Sequence, residues 1–266
     1  MNARQVDNYP GFPQGISGFE LASLMHEQAI QYGLETINTT VTAINIKPEG
    51  KYSIITADGK FEAEAVIIAA GSEYRKLEVP GEEELLGRGV SYCATCDGFL
   101  FRDLDVAIVG GGDTAITDAL ELSEHASKVY IVHRRDQLRA GQILKKKALE
   151  RTKMEPVWNT VVEEIIGDNK VSGLKVRNVK TGEITKLEVA GVFVAIGFEP
   201  NSQCFANVVE LDEAGLIKTD ELMATSAPGI FAVGDIRKNS PRQVAGAVGD
   251  GATAALSAFK YLRERI

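Results

Sequence analysis

Cysteine and histidine are scarce in this chain, with three of each in 266 residues. A structural zinc site takes four ligands, commonly from two Cys-x-x-Cys pairs, and one pair with a distant Cys204 does not supply them. No metal is therefore expected. No apolar run approaches the roughly 18 to 20 residues of a membrane-spanning helix, and the stretch Met1 to Asp7 lacks the hydrophobic region of a secretory signal. Positive charge is not in excess either. The net charge of -8 argues against a general nucleic-acid surface, although a local basic cluster can still bind phosphate. Neither tandem repeats nor low-complexity segments stand out. What remains is an ordinary globular composition, 44% hydrophobic and 25% charged, long enough for one or two domains and expected in a reducing cytoplasm.

Two of the cysteines stand together in Cys93-Ala94-Thr95-Cys96-Asp97. Thiols at this spacing can close a small disulfide loop and often have lowered pKa values, so the pair can be oxidised and reduced repeatedly. Asp97 could give or take the proton that such a cycle moves. The spacing alone also admits an inert buried pair. Cys204 reads as a passive thiol.

The periodicity predicts an α/β protein. Ser17-Gly18-Phe19-Glu20 fits a capping box, and Leu21, Leu24, Met25, Ala29 and Tyr32 give an apolar face to a helix over 18–32 that Gly33 stops. A small antiparallel meander follows at 41–47, 51–57 and 60–64, with Asp58-Gly59 as a hairpin turn. Val66 to Gly71 is a continuous apolar run of the kind buried in a parallel sheet. The segment 80–89, with Glu82-Glu83-Glu84, reads as a solvated connection. From Asp105 the pattern becomes strand (106–109), glycine cluster, helix (114–123) and strand (128–132), then a helix near 140–151, strands near 160–166 and 171–179, a Thr181-Gly182 turn and a strand at 192–195. The strand Ile230 to Val233 and an alanine-rich helix over 244–263 close the chain.

Gly110-Gly111-Gly112-Asp113-Thr114-Ala115 sits between strand and helix, where Gly-x-Gly-x-x-Ala is a dinucleotide turn. Its first glycine permits the turn, its second lets backbone approach the pyrophosphate, and Ala115 lets helix pack on strand. Backbone N–H groups at the helix start then hold the phosphates. The position roughly 20 residues further on discriminates the cofactors, since a carboxylate there would bind the ribose 2′-hydroxyl of NAD. Here it is His133-Arg134-Arg135, followed by Arg139, and guanidinium groups favour a 2′-phosphate. NADPH is expected over NADH. His133 could instead simply shape the end of its strand.

These motifs together closely resemble the bacterial, low-molecular-weight thioredoxin reductase family of pyridine nucleotide-disulfide oxidoreductases, over essentially the whole chain. Val6-Asp7-Asn8-Tyr9-Pro10-Gly11, Ala69-Ala70-Gly71-Ser72, Val194 to Asn201 and Ile230 to Asp235 match it as well. The resemblance implies two Rossmann-like domains, with an NADPH domain (77–199) that carries the thiols inserted into a discontinuous FAD domain (1–74 and 202–266). It implies FAD contacts at Gly71, at Gly234 and Asp235, and along Arg242-Gln243-Val244. It implies that Cys96 lies nearer the flavin as the charge-transfer thiolate, that Cys93 attacks the disulfide of thioredoxin, that Asp97 is the acid/base, and that the protein is a homodimer. The connections near 75 and 200 would be the hinge between two domain orientations.

One departure stands beside these matches. The family opens with a strand and a Gly-x-Gly-x-x-Gly turn for the ADP half of FAD, and this chain begins after that unit, with no second glycine fingerprint to replace it. The expectation divides between a complete enzyme whose start lies further upstream and an NADPH-binding protein that holds flavin weakly or not at all. Within the enzyme class, a related flavoprotein reducing a glutaredoxin-like or peroxidase-linked partner stays open beside thioredoxin.

Overall fold

The computed structural model describes residues 6–265; the start of the expected FAD segment (1–5) and its last residue (266) lie outside the described residues. The chain divides into two compact units. Of the described residues, one holds 74–197 with the short segments 6–8 and 14–19; the other holds 9–13, 20–73 and 198–265.

The first unit is built on a five-stranded parallel sheet, in the order Val90–Ser91, Gly191–Val194, Asp105–Val109, Lys128–His133, Met154–Trp158. Side chains alternate across a strand, and here both faces are apolar. Val106, Ile108, Val129 and Ile131 pack on the helices Asp113–His125 and Gln142–Glu150 through Ile116, Ala119, Leu122 and Ala148. Ala107, Val109 and Val132 face the other way, onto Val162, Ile165, Leu174 and Val176 of an antiparallel sheet formed by Thr160–Gly167, Val171–Asn178 and Ile184–Leu187. Burial on both faces is why these strands read as unbroken hydrophobic runs.

In the second unit the helix Gly18–Gln31, most of which belongs here, precedes the meander Val41–Ile46, Tyr52–Thr56 and Lys60–Ala63. Val66–Ile68 then pairs in parallel with Ile230–Ala232, and Val244–Arg263 forms the closing helix. Ile44, Tyr52, Ile68, Phe205, Ile217, Ile230 and Ile236 make the main core, and Met223, Phe231, Val233, Ala254 and Ala258 a smaller one under the closing helix. Phe198–Pro200 pairs with Ser72–Tyr74 where the chain passes from one unit to the other.

Three expectations are corrected. The run from Val66 is parallel but not buried throughout: among the described residues its sheet has two strands, and Ile67 is 41% exposed while Ile68 on the opposite face is 3% exposed. The partner strand Ile230–Ala232 is buried on both faces, so the exposure is confined to the Val66–Ile68 strand. The first helix buries Leu21, but Leu24 and Tyr32 of the same predicted face are exposed, Tyr32 by 86%. Its periodicity identifies a face without saying how much of its length is covered. The acidic connection is not solvated throughout, since Glu82 is 2% exposed. Its carboxylate accepts the backbone N–H groups of Leu77 (2.8 Å) and Glu78 (2.7 Å) and the hydroxyl of Tyr92 (2.8 Å). Three donors replace the water that a buried carboxylate loses. The hydrogen bond to Tyr92 leads directly to the residue before Cys93, and the partial burial of that tyrosine, reinforced by Glu82, pushes its hydroxyl pKa well up.

Glu82→Ala removes the acceptor of all three donors, and a loss of about 3 kcal/mol is expected in urea unfolding of the intact chain. Glu83→Ala, which removes an exposed ion pair with Lys76, should leave the urea midpoint nearly unchanged.

Candidate functional site

The two cysteines are joined as a disulfide, Cα to Cα 5.3 Å, and both are half-buried. Cys93 caps the four-residue helix Ala94–Asp97, and its sulfur accepts the N–H of Cys96 at 3.1 Å. When the bond is reduced, that donor stabilises charge on the Cys93 sulfur more than on a neutral thiol, which favours the nucleophilic form. Ala94 is buried, and Thr95 ties the turn to the following long helix by donating to Glu121 (2.9 Å).

Asp97 is held by a residue that the sequence motif does not contain. The hydroxyl of Ser91, buried at the end of its short strand, donates to Asp97 Oδ2 at 2.6 Å and accepts the N–H of Cys93 at 3.0 Å. Ser91 thus links the backbone of one cysteine to the carboxylate that follows the other. A serine two residues before the first cysteine, at a strand end, was the available signal: such hydroxyls bond backbone two residues on.

The glycine turn has the geometry that its sequence predicts. Gly110 has φ +156°, and a Cβ there would lie 2.4 Å from the carbonyl oxygen of Ala195 and 2.7 Å from Ala115 Cβ, so Gly110 has no room for a side chain. A Cβ on Gly112 would meet nothing within 4 Å. This open surface precedes the 13-residue helix Asp113–His125, whose start has no side-chain cap. Backbone N–H groups facing open space at a helix start suit a pyrophosphate, so the turn fits a dinucleotide. Thr114 is exposed in the first turn, whereas the Asp113 carboxylate accepts the N–H of Gly141 at 2.7 Å and acts as a staple to the basic loop.

That loop is laced to the turn on its other side. Arg139 N–H donates to the Gly111 carbonyl at 2.6 Å and Ala140 N–H to the same oxygen at 3.1 Å. Arg134, Arg135 and Arg139 are exposed and together line a cleft of about 400 Å³, a cationic recess that fits a phosphate monoester. His133 is not among the lining residues. It is buried, with its ring so close under Gly111 that a Cβ there would lie 2.4 Å from it. Burial, and then the charges of Arg139, Arg135 and Arg134, push its pKa below 6.5, against a backbone hydrogen bond at Gln137. It is a neutral wall of the turn, and its Nε2 is buried without a protein partner.

In the second unit Gly71 (φ +67°) meets open space, and Gly234 (φ +71°) packs against Ala247 of the closing helix. The Asp235 carbonyl accepts the Ser72 hydroxyl at 2.5 Å, and its side chain accepts that of Ser240 at 3.2 Å. The turn is pinned from the helix by Asp250, which accepts the Gly234 N–H (3.0 Å) and pairs in bidentate fashion with Arg237 (2.6 and 2.7 Å). Arg242, at φ +53°, lays its guanidinium over the Phe198 ring with Nε buried and unpartnered, and Gln243 and Val244 open the helix. Two left-handed glycines beside an orphaned buried nitrogen fit a cofactor edge in this unit. Cys204 stands apart in the core of this unit, its thiol pKa raised by burial.

Ser91→Ala should leave the disulfide in place, cost about 1 kcal/mol in unfolding and slow reduction of the pair by a small dithiol by up to about tenfold, measured by stopped-flow thiol release. Burial works to raise the Asp250 carboxyl pKa, but the Arg237 hydrogen bond, the Gly234 N–H and the Arg237 charge outweigh it and hold the group below its ordinary 3.8. The unfolded chain then binds the proton more tightly, so this stabilisation is complete above pH 3.8 and disappears as pH falls through the lower folded value. Acid unfolding of the second unit should lose that component in Asp250→Asn, which leaves Arg237 unpaired and costs about 3 kcal/mol at neutral pH.

Known proteins resemble this chain over nearly its whole length. The profile described as pyridine nucleotide-disulphide oxidoreductase matches residues 3–251. The thioredoxin reductase of Streptomyces coelicolor is 45% identical over 263 residues, which is 98% of this chain and 82% of that protein. The bifunctional thioredoxin reductase/thioredoxin of Mycobacterium leprae is 44% identical over 266 residues, 99% of this chain and 58% of that protein. The crystal structure of thioredoxin reductase from Streptococcus pyogenes superposes with a TM-score of 0.94 at 45% identity, covering 99% of this chain and 86% of that one. With glycine turn, basic loop and disulfide in one unit, the chain belongs to the pyridine nucleotide-disulphide oxidoreductase family, among its thioredoxin reductases.

Proposed function

We propose that this protein is an NADPH-dependent thioredoxin-disulfide reductase that carries electrons to thioredoxin through the Cys93–Cys96 disulfide. The observation that carries this reading is the Cys93 sulfur, hydrogen-bonded to the Cys96 N–H, in the same unit as a dinucleotide turn with a basic, 2′-phosphate-type loop. Fusion of reductase to thioredoxin in the Mycobacterium leprae relative supports the choice of partner. We assign 77–199 to the NADPH domain and 1–74 with 202–266 to the FAD domain. Gly110, Gly112, Thr114 and the three arginines would hold NADPH, with Asp113 and His133 shaping their site. Gly71, Gly234, Asp235 and Arg242 to Val244 would hold FAD. Homodimerisation and a cytoplasmic location belong to the same reading; no helix of the described residues is long and apolar enough to cross a membrane.

When bound, NADPH and FAD would supply the two electrons that reduce the disulfide. The pair breaks the Cys93–Cys96 bond and leaves a dithiol that has gained two electrons and, from solvent, its protons. Cys93 gives its proton to Asp97 and, as thiolate, attacks one sulfur of the thioredoxin disulfide. A mixed disulfide forms, and the departing thioredoxin sulfur takes a proton from Asp97. Cys96 then attacks Cys93 and restores the internal disulfide, and the proton it gives up goes to the second thioredoxin sulfur, which leaves as a thiol. One disulfide has been reformed and one reduced, so the exchange balances. Ser91 orients Asp97 for the proton transfer.

Serine at either Cys93 or Cys96 is expected to abolish thioredoxin reduction, followed by insulin turbidity, while NADPH still bleaches the flavin absorbance. Retained thioredoxin reduction would contradict the mechanism.

A further inference from the structure

The arginine motif is not the whole of the cationic cleft. We propose that Lys180 and Lys145, two residues outside the motif, complete the pocket for the 2′-phosphate and set how strongly this chain discriminates NADPH from NADH. The inference rests on reading Arg134 to Arg139 as the 2′-phosphate loop.

Both lysines line the same cleft of about 400 Å³ as the three arginines, and Asp136 is the one carboxylate in that lining. Their positions are fixed by the scaffold that fixes the arginines. Lys180 sits at the tip of the hairpin between Val171–Asn178 and Ile184–Leu187, where Asn178 Oδ1 accepts the N–H of Lys180 (2.9 Å) and of Thr181 (3.1 Å). The preceding Val179 N–H donates to the carbonyl of Asn159 at 2.6 Å, and Asn159 N–H donates to the carbonyl of Arg135 at 3.0 Å. Asn159 is a non-glycine residue at φ +52° between two strands, and this left-handed turn lets it face both loops. The hairpin tip is thereby fastened to the basic loop. Lys145 lies in the helix Gln142–Glu150, which starts beside Gly141, the residue stapled to the glycine turn by Asp113.

Lys180 already has a counter-ion, Asp136, at 3.0 Å. Both side chains are more than 60% exposed, and such a pair holds little free energy in water. A phosphate dianion entering between Lys180 and the arginines can replace it. A ribose hydroxyl brings no charge, so the lysines gain nothing from NADH. Because an ammonium acts as a point charge rather than a bidentate fork, its contribution should be strongly screened by salt.

Calorimetric binding of NADP+ and of NAD+ to the intact chain, at low and at high salt, tests this with Lys145→Gln, Lys180→Gln and, as reference, Arg134→Gln combined with Arg135→Gln. At low salt each lysine variant should raise the Kd of NADP+ by roughly threefold to tenfold, leave NAD+ unchanged, and differ less from the parent as salt rises. If both lysine variants bind NADP+ as the parent does, or lose NAD+ equally, while the arginine variant loses NADP+ selectively, the lysines are idle and the inference is overturned with the arginine site intact. If the arginine variant also fails to separate the two nucleotides, the 2′-phosphate reading itself falls, and the inference with it.

Discussion

The N–H of Arg139 donates to the carbonyl of Gly111 at 2.6 Å, and the ring of His133 fills the space beneath the same glycine. A glycine turn and a basic loop lie far apart in sequence, and their spacing in space decides whether one nucleotide can touch both. Here that spacing is set by backbone hydrogen bonds and by one buried, neutral imidazole. A side chain on Gly111 would collide with the imidazole, and burial together with the charges of Arg139, Arg135 and Arg134 disfavours its charged form. The spacing of turn and loop therefore depends on a residue that does not line the cleft.

Carboxylates serve a related purpose elsewhere. Glu82 gathers the N–H groups of Leu77 and Glu78, Asp113 takes that of Gly141, and Asp250 that of Gly234. Each fixes a loop next to a predicted functional residue: the segment before Cys93, the basic loop, and the Gly234-Asp235 turn. A charged acceptor makes a stronger hydrogen bond than a neutral one, so a few acidic side chains hold irregular backbone that no ladder supports. The redox pair follows the same logic on a smaller scale, with the Ser91 hydroxyl between the Cys93 N–H and the Asp97 carboxylate.

Much of this was legible in the sequence. The strands predicted at 106–109, 128–132 and 192–195 are largely apolar runs because both faces of their sheet are buried, and the helix over 244–263 was marked by its alanine-rich composition. The meander was marked by Asp58-Gly59, and the tight turn at 110–115 by its glycines, of which Gly110 has no room for a side chain. What was not legible depended on partners distant in the chain. Val90–Ser91, Met154–Trp158 and Ile184–Leu187 are short or polar strands defined by their neighbours in the sheets. Glu82 lies in an acidic run, where composition predicts solvation, and becomes buried only because Tyr92 and two backbone donors converge on it. Asp113 looked like part of the phosphate cradle, but its carboxylate faces Gly141. The bidentate pair of Asp250 with Arg237 spans 13 residues and carries no motif.

The central claim is that electrons from NADPH reach the Cys93–Cys96 disulfide. Cysteine counting tests it directly, because the oxidised chain has one free thiol, Cys204, and the reduced pair would add the other two of its three cysteines. Under anaerobic conditions with FAD present and no other reductant, the account predicts that NADPH raises the count from one thiol per chain to three, and that oxidised thioredoxin returns it to one. A flavin that is bleached by NADPH while the count stays at one would contradict it.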